Sequence, residues 1–135
     1  VSAATATALY GRLTAGTTLT ALGCTGVHYG VAPEGSAYPY VTIALVSAAD
    51  SRVFGAKATT REQWAVQAWD QGASHKRCKQ LVDAVDTLLD EYDLTVGAGT
   101  AMCCRRIGEL PDLSEESKGV VYRQAGARYE LEVRA

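Results

Sequence analysis

At 135 residues, 47% hydrophobic and 21% charged, the chain is long enough for one domain with a core of its own. A net charge of −2 argues against nucleic acid as the main partner, because phosphate binding needs a surplus of Lys and Arg on one face. No apolar run reaches the ~18 residues that cross a bilayer, and no charged segment followed by an apolar one marks a secretory leader at the N-terminus.

A first helix is expected over residues 3–15, where Ala4, Ala8, Leu9 and Leu13 fall at helical spacing and Gly16 supplies a stop. Thr17 or Thr18 can cap a short helical turn through Leu22, and Gly23 to Gly26 break regularity. Val27–Tyr29 reads as a short strand. A turn with Pro33 and Gly35 then leads into Tyr38-Pro39-Tyr40. Pro39 fixes its own φ and holds Tyr38 extended, so a strand starts at a defined place and runs from about Tyr40 to Ser47. Residues 48–58, with Arg52, Val53 and Phe54, read as a long connection whose apolar and basic cluster can dock on another protein.

The next strand spans Thr60 to Asp70, with Trp64, Val66 and Ala68 on the more buried side. Gly72 ends it, and Ser74 can cap the helix after it. The strongest periodicity is helical, over residues 75–92, where Cys78, Leu81, Val82, Val85, Leu88, Leu89 and Tyr92 form one apolar stripe. After Gly97 and Gly99 a strand is expected from Ala101 to Ile107. A polar loop from Gly108 to Gly119 comes next, carrying Asp112, Glu115 and Glu116, and then a strand from Val120 to Val133. The order gives an α+β fold. An antiparallel or mixed sheet of about four strands would carry two helices on one face, as a single domain over 1–135.

The chemistry-bearing residues are sparse. Cys24, Cys78, Cys103 and Cys104 are irregularly spaced and read as reduced thiols in a cytosolic setting. Cys24-x3-His28 and His75-x2-Cys78 lack the two tight ligand pairs of a zinc site, and Cys78 lies in the helical stripe. No GxSxG, Walker A or GxGxxG occurs, and neither histidine has an orienting third group beside it. No metal, cofactor or catalytic activity is expected. An α+β domain that binds a small ligand, or an enzyme using His28 or His75 with a nearby Cys, is the rival from another class.

The main helix is charged against its dipole. Lys76, Arg77 and Lys79 occupy its N-terminal end, and Asp86, Asp90, Glu91 and Asp93 its C-terminal end. Each badly placed charge costs about 0.3–1 kcal/mol. The pattern is expected where the two ends meet oppositely charged neighbours, as in a head-to-tail subunit interface. Charge reversal at Lys76, Arg77 and Lys79 is then expected to disrupt assembly without unfolding the protein.

Taken in order, these pieces resemble a known family. Leu9-Tyr10-x-x-Leu13 is followed by Leu19-Thr20-Ala21-Leu22, Val27-x-Tyr29, Val31-Ala32-Pro33-Glu34-Gly35 and Tyr38-Pro39-Tyr40-Val41. Trp64-x-Val66-Gln67-x-Trp69-Asp70 leads into Leu81-Val82-Asp83-Ala84-Val85, and Tyr122-Arg123-x-x-x-Arg128-Tyr129-x-Leu131 closes the pattern. The chain resembles the tail-terminator, or tail-completion, proteins of long-tailed phages and of phage-like gene transfer agents. It departs from typical members in its paired Cys103-Cys104 and its polar 108–119 segment.

The resemblance implies a subunit of a homo-oligomeric, hexameric ring in the virion tail at the head–tail junction. Such a ring caps the tail tube at its final length and meets the head connector or stopper protein. DNA only passes through its channel, no membrane is involved, and no catalytic or cofactor-binding residue carries over. A head-completion or connector protein of the same particle is the nearest alternative.

Overall fold

The structure is a computed structural model that describes residues 2–72, 75–96 and 99–134. Its elements in chain order are α1 (Ser2–Thr14), a short 3-10 turn (Thr20–Leu22), β1 (Val27–Tyr29), β2 (Tyr40–Val53) and β3 (Ala56–Gln71). They continue with α2 (Lys76–Leu89), β4 (Tyr92–Val96), β5 (Gly99–Ser117) and β6 (Val120–Arg134). The fold is α+β, as the sequence indicates, but the sheet has six strands rather than about four, in the order β1-β2-β3-β6-β5-β4. It is mixed, because β1 runs parallel to β2 while the other neighbours are antiparallel.

The extra sheet comes from segments whose composition hides their pairing. Residues 48–53 are not a connection but the outer half of β2, paired through Val53↔Ala56 and turned by Phe54-Gly55. Their Ala, Asp and Ser content is poor in strand formers, so the hairpin partner decides the conformation. Residues 108–117 are likewise not a loop. They pair with β6 from Gly108↔Arg128 to Ser117↔Val120, and the turn is Lys118-Gly119. Pro111 sits inside the register break between Leu110 and Leu113, and β4 pairs with β5 only as far as Cys104. Here β5 is a sheet edge, where Pro, bulges and charge are tolerated.

α2 also stops short of Tyr92. Asp90 leaves the helix at ψ 129°, Glu91 takes a left-handed φ of 57°, and its N–H donates to the Cys104 carbonyl at 2.7 Å. Tyr92 therefore opens β4, a strand that the helical stripe had concealed. At the other end of α2, His75 occupies the N-cap position without a side-chain capping bond. Ser74, expected as the cap, lies outside the described residues, as does Gly97. The Tyr38–Pro39 peptide bond is cis, and Pro39 is buried.

Period-two alternation sends Val41 and Ile43 of β2, Trp64, Val66 and Ala68 of β3, and Ala125, Ala127, Tyr129 and Leu131 of β6 to one buried face. Against it lie Leu9 and Leu13 of α1 and the Cys78–Leu89 stripe of α2, so both helices cover the same face. α1 touches β1 at one edge of the sheet and β4 at the other. A flat sheet of this width would hold its edges about 24 Å apart, twice the width of a helix, so the sheet curls around α1. Thr5 of α1 donates to the buried Glu62 carboxylate at 3.0 Å, and Trp64 Nε1 donates to its other oxygen at 3.2 Å. A buried carboxylate held by two donors thus ties α1 to the sheet.

Candidate assembly surfaces

At both ends of α2, charged side chains meet opposite charge within the same chain. Arg77 grips Asp70 at the end of β3 through two bonds, Nε to Oδ2 at 2.9 Å and Nη2 to Oδ1 at 2.6 Å. Asp70 is buried, and it also accepts the Gln71 N–H at 2.8 Å. The Asp70 hydrogen bond holds the Arg77 guanidinium above its ordinary pKa. Lys79 reaches Asp112 of β5 at 3.1 Å. At the C-terminal end, Asp86 accepts the Tyr129 hydroxyl at 3.1 Å and lies 3.6 Å from Arg106. The Asp90 carboxylate accepts the Arg106 N–H at 2.9 Å. Arg12 of α1 donates to the Leu88 carbonyl at 2.9 Å and lies 3.7 Å over the Tyr92 ring, which places a cation at the negative end of the helix.

Lys76, Glu91, Asp93, Glu115 and Glu116 are exposed, as are Arg52 and Phe54. Arg52 and Phe54 stand at the tip of the β2–β3 hairpin. Asp112, Glu115 and Glu116 lie on the outer half of β5 rather than in a loop. Because Arg77 neutralises a buried carboxylate, reversing Lys76, Arg77 and Lys79 together removes a fold contact as well as surface charge. That triple change no longer separates assembly from folding.

The histidines and thiols have local partners. Arg123 Nη1 donates to His75 Nδ1 at 3.2 Å and His75 Nε2 donates to the Leu113 carbonyl at 3.2 Å, which places the ring proton on Nε2. Arg123 also donates to the Gly72 carbonyl at 2.8 Å and to Ser114 at 3.1 Å, tying the start of α2 to β5 and β6. His28 packs edge-on to Tyr40, with centroids 5.6 Å apart. Burial, and next the Asp70 carboxylate, push the Cys78 thiol up to about 11. Burial raises Cys24 as well. Cys24, Cys78 and Cys104 are buried and in no disulfide. The Cys103 side chain lies outside those described. Among the described residues, no cluster of three His, Cys, Asp or Glu side chains could hold a metal ion.

The face opposite the helices carries a feature that the sequence alone did not disclose. Tyr40 lies in register with Trp69, and the two rings stack with centroids 6.3 Å apart. Tyr38 bridges Tyr40 at 5.0 Å and Tyr122 at 5.7 Å. Burial, and next a hydrogen bond with Tyr38, push the Tyr40 hydroxyl up to about 12. Beside this cluster an open groove of about 330 Å³ is lined by Trp69, Tyr122, Gln124, Leu113 and Glu115. Trp69 falls out of phase with the core residues Trp64, Val66 and Ala68. That signal was present in the strand, but its partners come from β5 and β6 and emerge only with the register.

The fold is an α+β domain with two helices on a curled, mixed six-stranded sheet. The family profile described as "Tail completion protein gp17" matches residues 7–129, and the chain belongs to that family. It is a phage tail structural protein, placed by its family in the virion tail. A chain from the virion of a native gene transfer agent (GTA) particle has a similar fold, with a TM-score of 0.77 and 21% identity. The alignment covers 96% of this chain and 93% of that one. A second solved chain has a TM-score of 0.56 and 12% identity, over 96% of this chain and 91% of its own. No curated protein matches the sequence. No helix among the described residues is long and apolar enough to cross a membrane.

Proposed function

We propose that the protein forms a homo-oligomeric ring, as a hexamer, that caps the tail tube at its final length and joins the tail to the head connector. The family match over residues 7–129 carries the reading. The likeness in fold to a chain of a gene transfer agent virion agrees with it.

The shape of the subunit supports a ring in particular. Its two hairpins turn at opposite ends of one sheet, one at Phe54-Gly55 and the other at Lys118-Gly119. One end presents the exposed Phe54 ring with Arg52 and the other an open groove with Glu115, so one copy offers its neighbour two unlike faces. Contacts of that kind are head-to-tail, and they close when the rotation between copies divides a full turn. Lys76 at the start of α2 and Asp86, Asp90, Glu91 and Asp93 at its end are proposed to lie at or near such contacts, with Arg77, Lys79 and Asp112 serving the fold beside Lys76. Tail tube protein and connector protein take the two open faces of the ring. DNA passes through the channel, and acidic side chains lining it would keep phosphates from sticking. The protein acts by binding and position and carries out no reaction.

Electron microscopy of particles made without this protein tests the reading. Tails of uncontrolled length, or tails detached from heads, are expected. Particles with normal tails joined to heads would overturn it.

A further inference from the structure

Phe54 is placed where it does nothing for an isolated subunit. Its side chain is 104% exposed at the tip of the β2–β3 hairpin, and it is the only phenylalanine in the chain. Its φ of 51° puts a bulky residue in the left-handed region. With Gly55 at φ 79° this is a type I′ turn, in which Asn or Asp is the favoured first residue. The other hairpin solves the same problem with a polar residue, Lys118 at φ 52° before Gly119 at φ 81°. Backbone strain and a solvated aromatic ring at one position point to a contact made outside the subunit.

The aromatic groove lies at the other end of the sheet. In the β3–β6 ladder, Thr59 faces Arg134 near the Phe54 tip, whereas Gln71 faces Tyr122 beside the groove. The 16 residues of β3 separate the two by about 50 Å, so a copy cannot fill its own groove. The charges match as well. Arg52 is exposed behind the tip, and Glu115 lines the groove, where Arg123 is engaged with Gly72, His75 and Ser114.

We propose that the Phe54 tip of one copy seats in the Trp69, Leu113 and Tyr122 groove of the next copy, with Arg52 against Glu115. The proposal rests on the ring reading above and supplies its head-to-tail contact. A groove of about 330 Å³ admits one phenylalanine ring, and Trp69 and Tyr122 offer it edge or face contacts. An aromatic anchor in a pocket with a charged rim is the usual form of a binding hot spot, and the rim charges set the register.

The test uses the full chain, with circular dichroism to establish folding. Sedimentation velocity and native mass spectrometry are expected to show rings for the wild type. Phe54→Asn should fold and associate about tenfold or more weakly. Arg52→Glu and Glu115→Lys should each lose assembly, and their equimolar mixture should regain it, because the reversed tip then meets the reversed groove. A Phe54→Cys, Leu113→Cys double variant should give a ladder of covalent oligomers on oxidation that neither single variant gives.

Wild-type rings that persist in Phe54→Asn, with no ladder, overturn the docking and leave the ring reading standing. So does a crosslink from position 54 to another tail protein in virions, or to position 54 of a second copy. If the wild type forms no ring and virions holding the double variant yield no ladder, both readings fall.

Discussion

Arg77 clamps Asp70 across the connection from β3 to α2, with both guanidinium contacts at 2.9 Å or less on a carboxylate that is only 3% exposed. Charges that look misplaced against the helix dipole are here part of the hinge that sets α2 on the sheet. Removing the cation leaves a buried carboxylate held by the Gln71 N–H. Arg77→Ala is expected to lower stability by about 2 kcal/mol, below the full cost of breaking a buried pair because Arg77 itself is half exposed. Gln80→Ala, at an exposed position of the same helix, should change stability by no more than about 0.5 kcal/mol. Urea denaturation of the two variants checks the contrast, and equal losses would contradict the clamp.

Gly126 lies against the backbone of β3, opposite Gln67. A Cβ built there would stand 2.6 Å from the Val66 carbonyl oxygen and 2.9 Å from the Gln67 Cα, both backbone atoms of the neighbouring strand. Neither can move without shifting the ladder. Gly126→Ala is expected to cost about 2–3 kcal/mol through overpacking. Gly108→Ala is the control, since a Cβ there meets nothing within 4 Å. A fall in urea midpoint for position 126 alone is the expected result.

The legible parts of the fold were those with an uninterrupted period. The α2 stripe from Cys78 to Leu89 and the Trp64, Val66 and Ala68 alternation both name core residues correctly. Legibility failed where partners outweigh composition. The outer half of β2 and the segment around Pro111 are strands because hairpin partners pair with them, and a bulge gives the proline its place. Burial of Glu62 and Asp70 was hidden for a related reason. Both follow the Trp64 phase of β3, but their donors, Thr5 and Arg77, come from the two helices. The candidate surfaces divide in the same way. Arg52, Phe54 and Glu115 were visible as exposed charge and apolarity. The groove needed three strands in register to exist.

Two tyrosines should give the fold an alkaline limit. Tyr129 is held above its ordinary pKa by burial and next by the Asp86 carboxylate, and Tyr40 is pushed up to about 12 by burial and its bond with Tyr38. In the unfolded chain both titrate near 10. A raised folded value means that the native state binds the proton more tightly. Its stabilising effect is therefore complete below about pH 10 and falls as pH rises through the folded values. Absorbance at 295 nm should show Tyr40 and Tyr129 ionising above pH 10, with Tyr129 ionising together with unfolding. Tyr129→Phe should flatten the loss of stability above pH 10. A wild-type titration in which Tyr40 and Tyr129 ionise at pH 10 without unfolding would contradict this.

The Phe54 turn makes a prediction about stability that is independent of any partner. A non-glycine residue in the left-handed region costs about 1–2 kcal/mol, and asparagine bears that conformation best because its short side chain bonds locally. Phe54→Asn removes a strained residue and an exposed ring without removing a core contact, so the isolated subunit should gain about 1 kcal/mol. For a chain of this size that is roughly 4 °C in Tm. Lys118→Asn relieves the same strain at the opposite hairpin and should raise Tm by a similar amount. The two differ in what they give up. Lys118→Asn leaves the aromatic tip intact, whereas Phe54→Asn deletes it. A tip that gains stability when mutated but is phenylalanine in the native chain is kept for a reason outside the subunit. Calorimetry on both variants decides the point, and a Phe54→Asn variant less stable than the wild type would mean that the ring serves the hairpin itself.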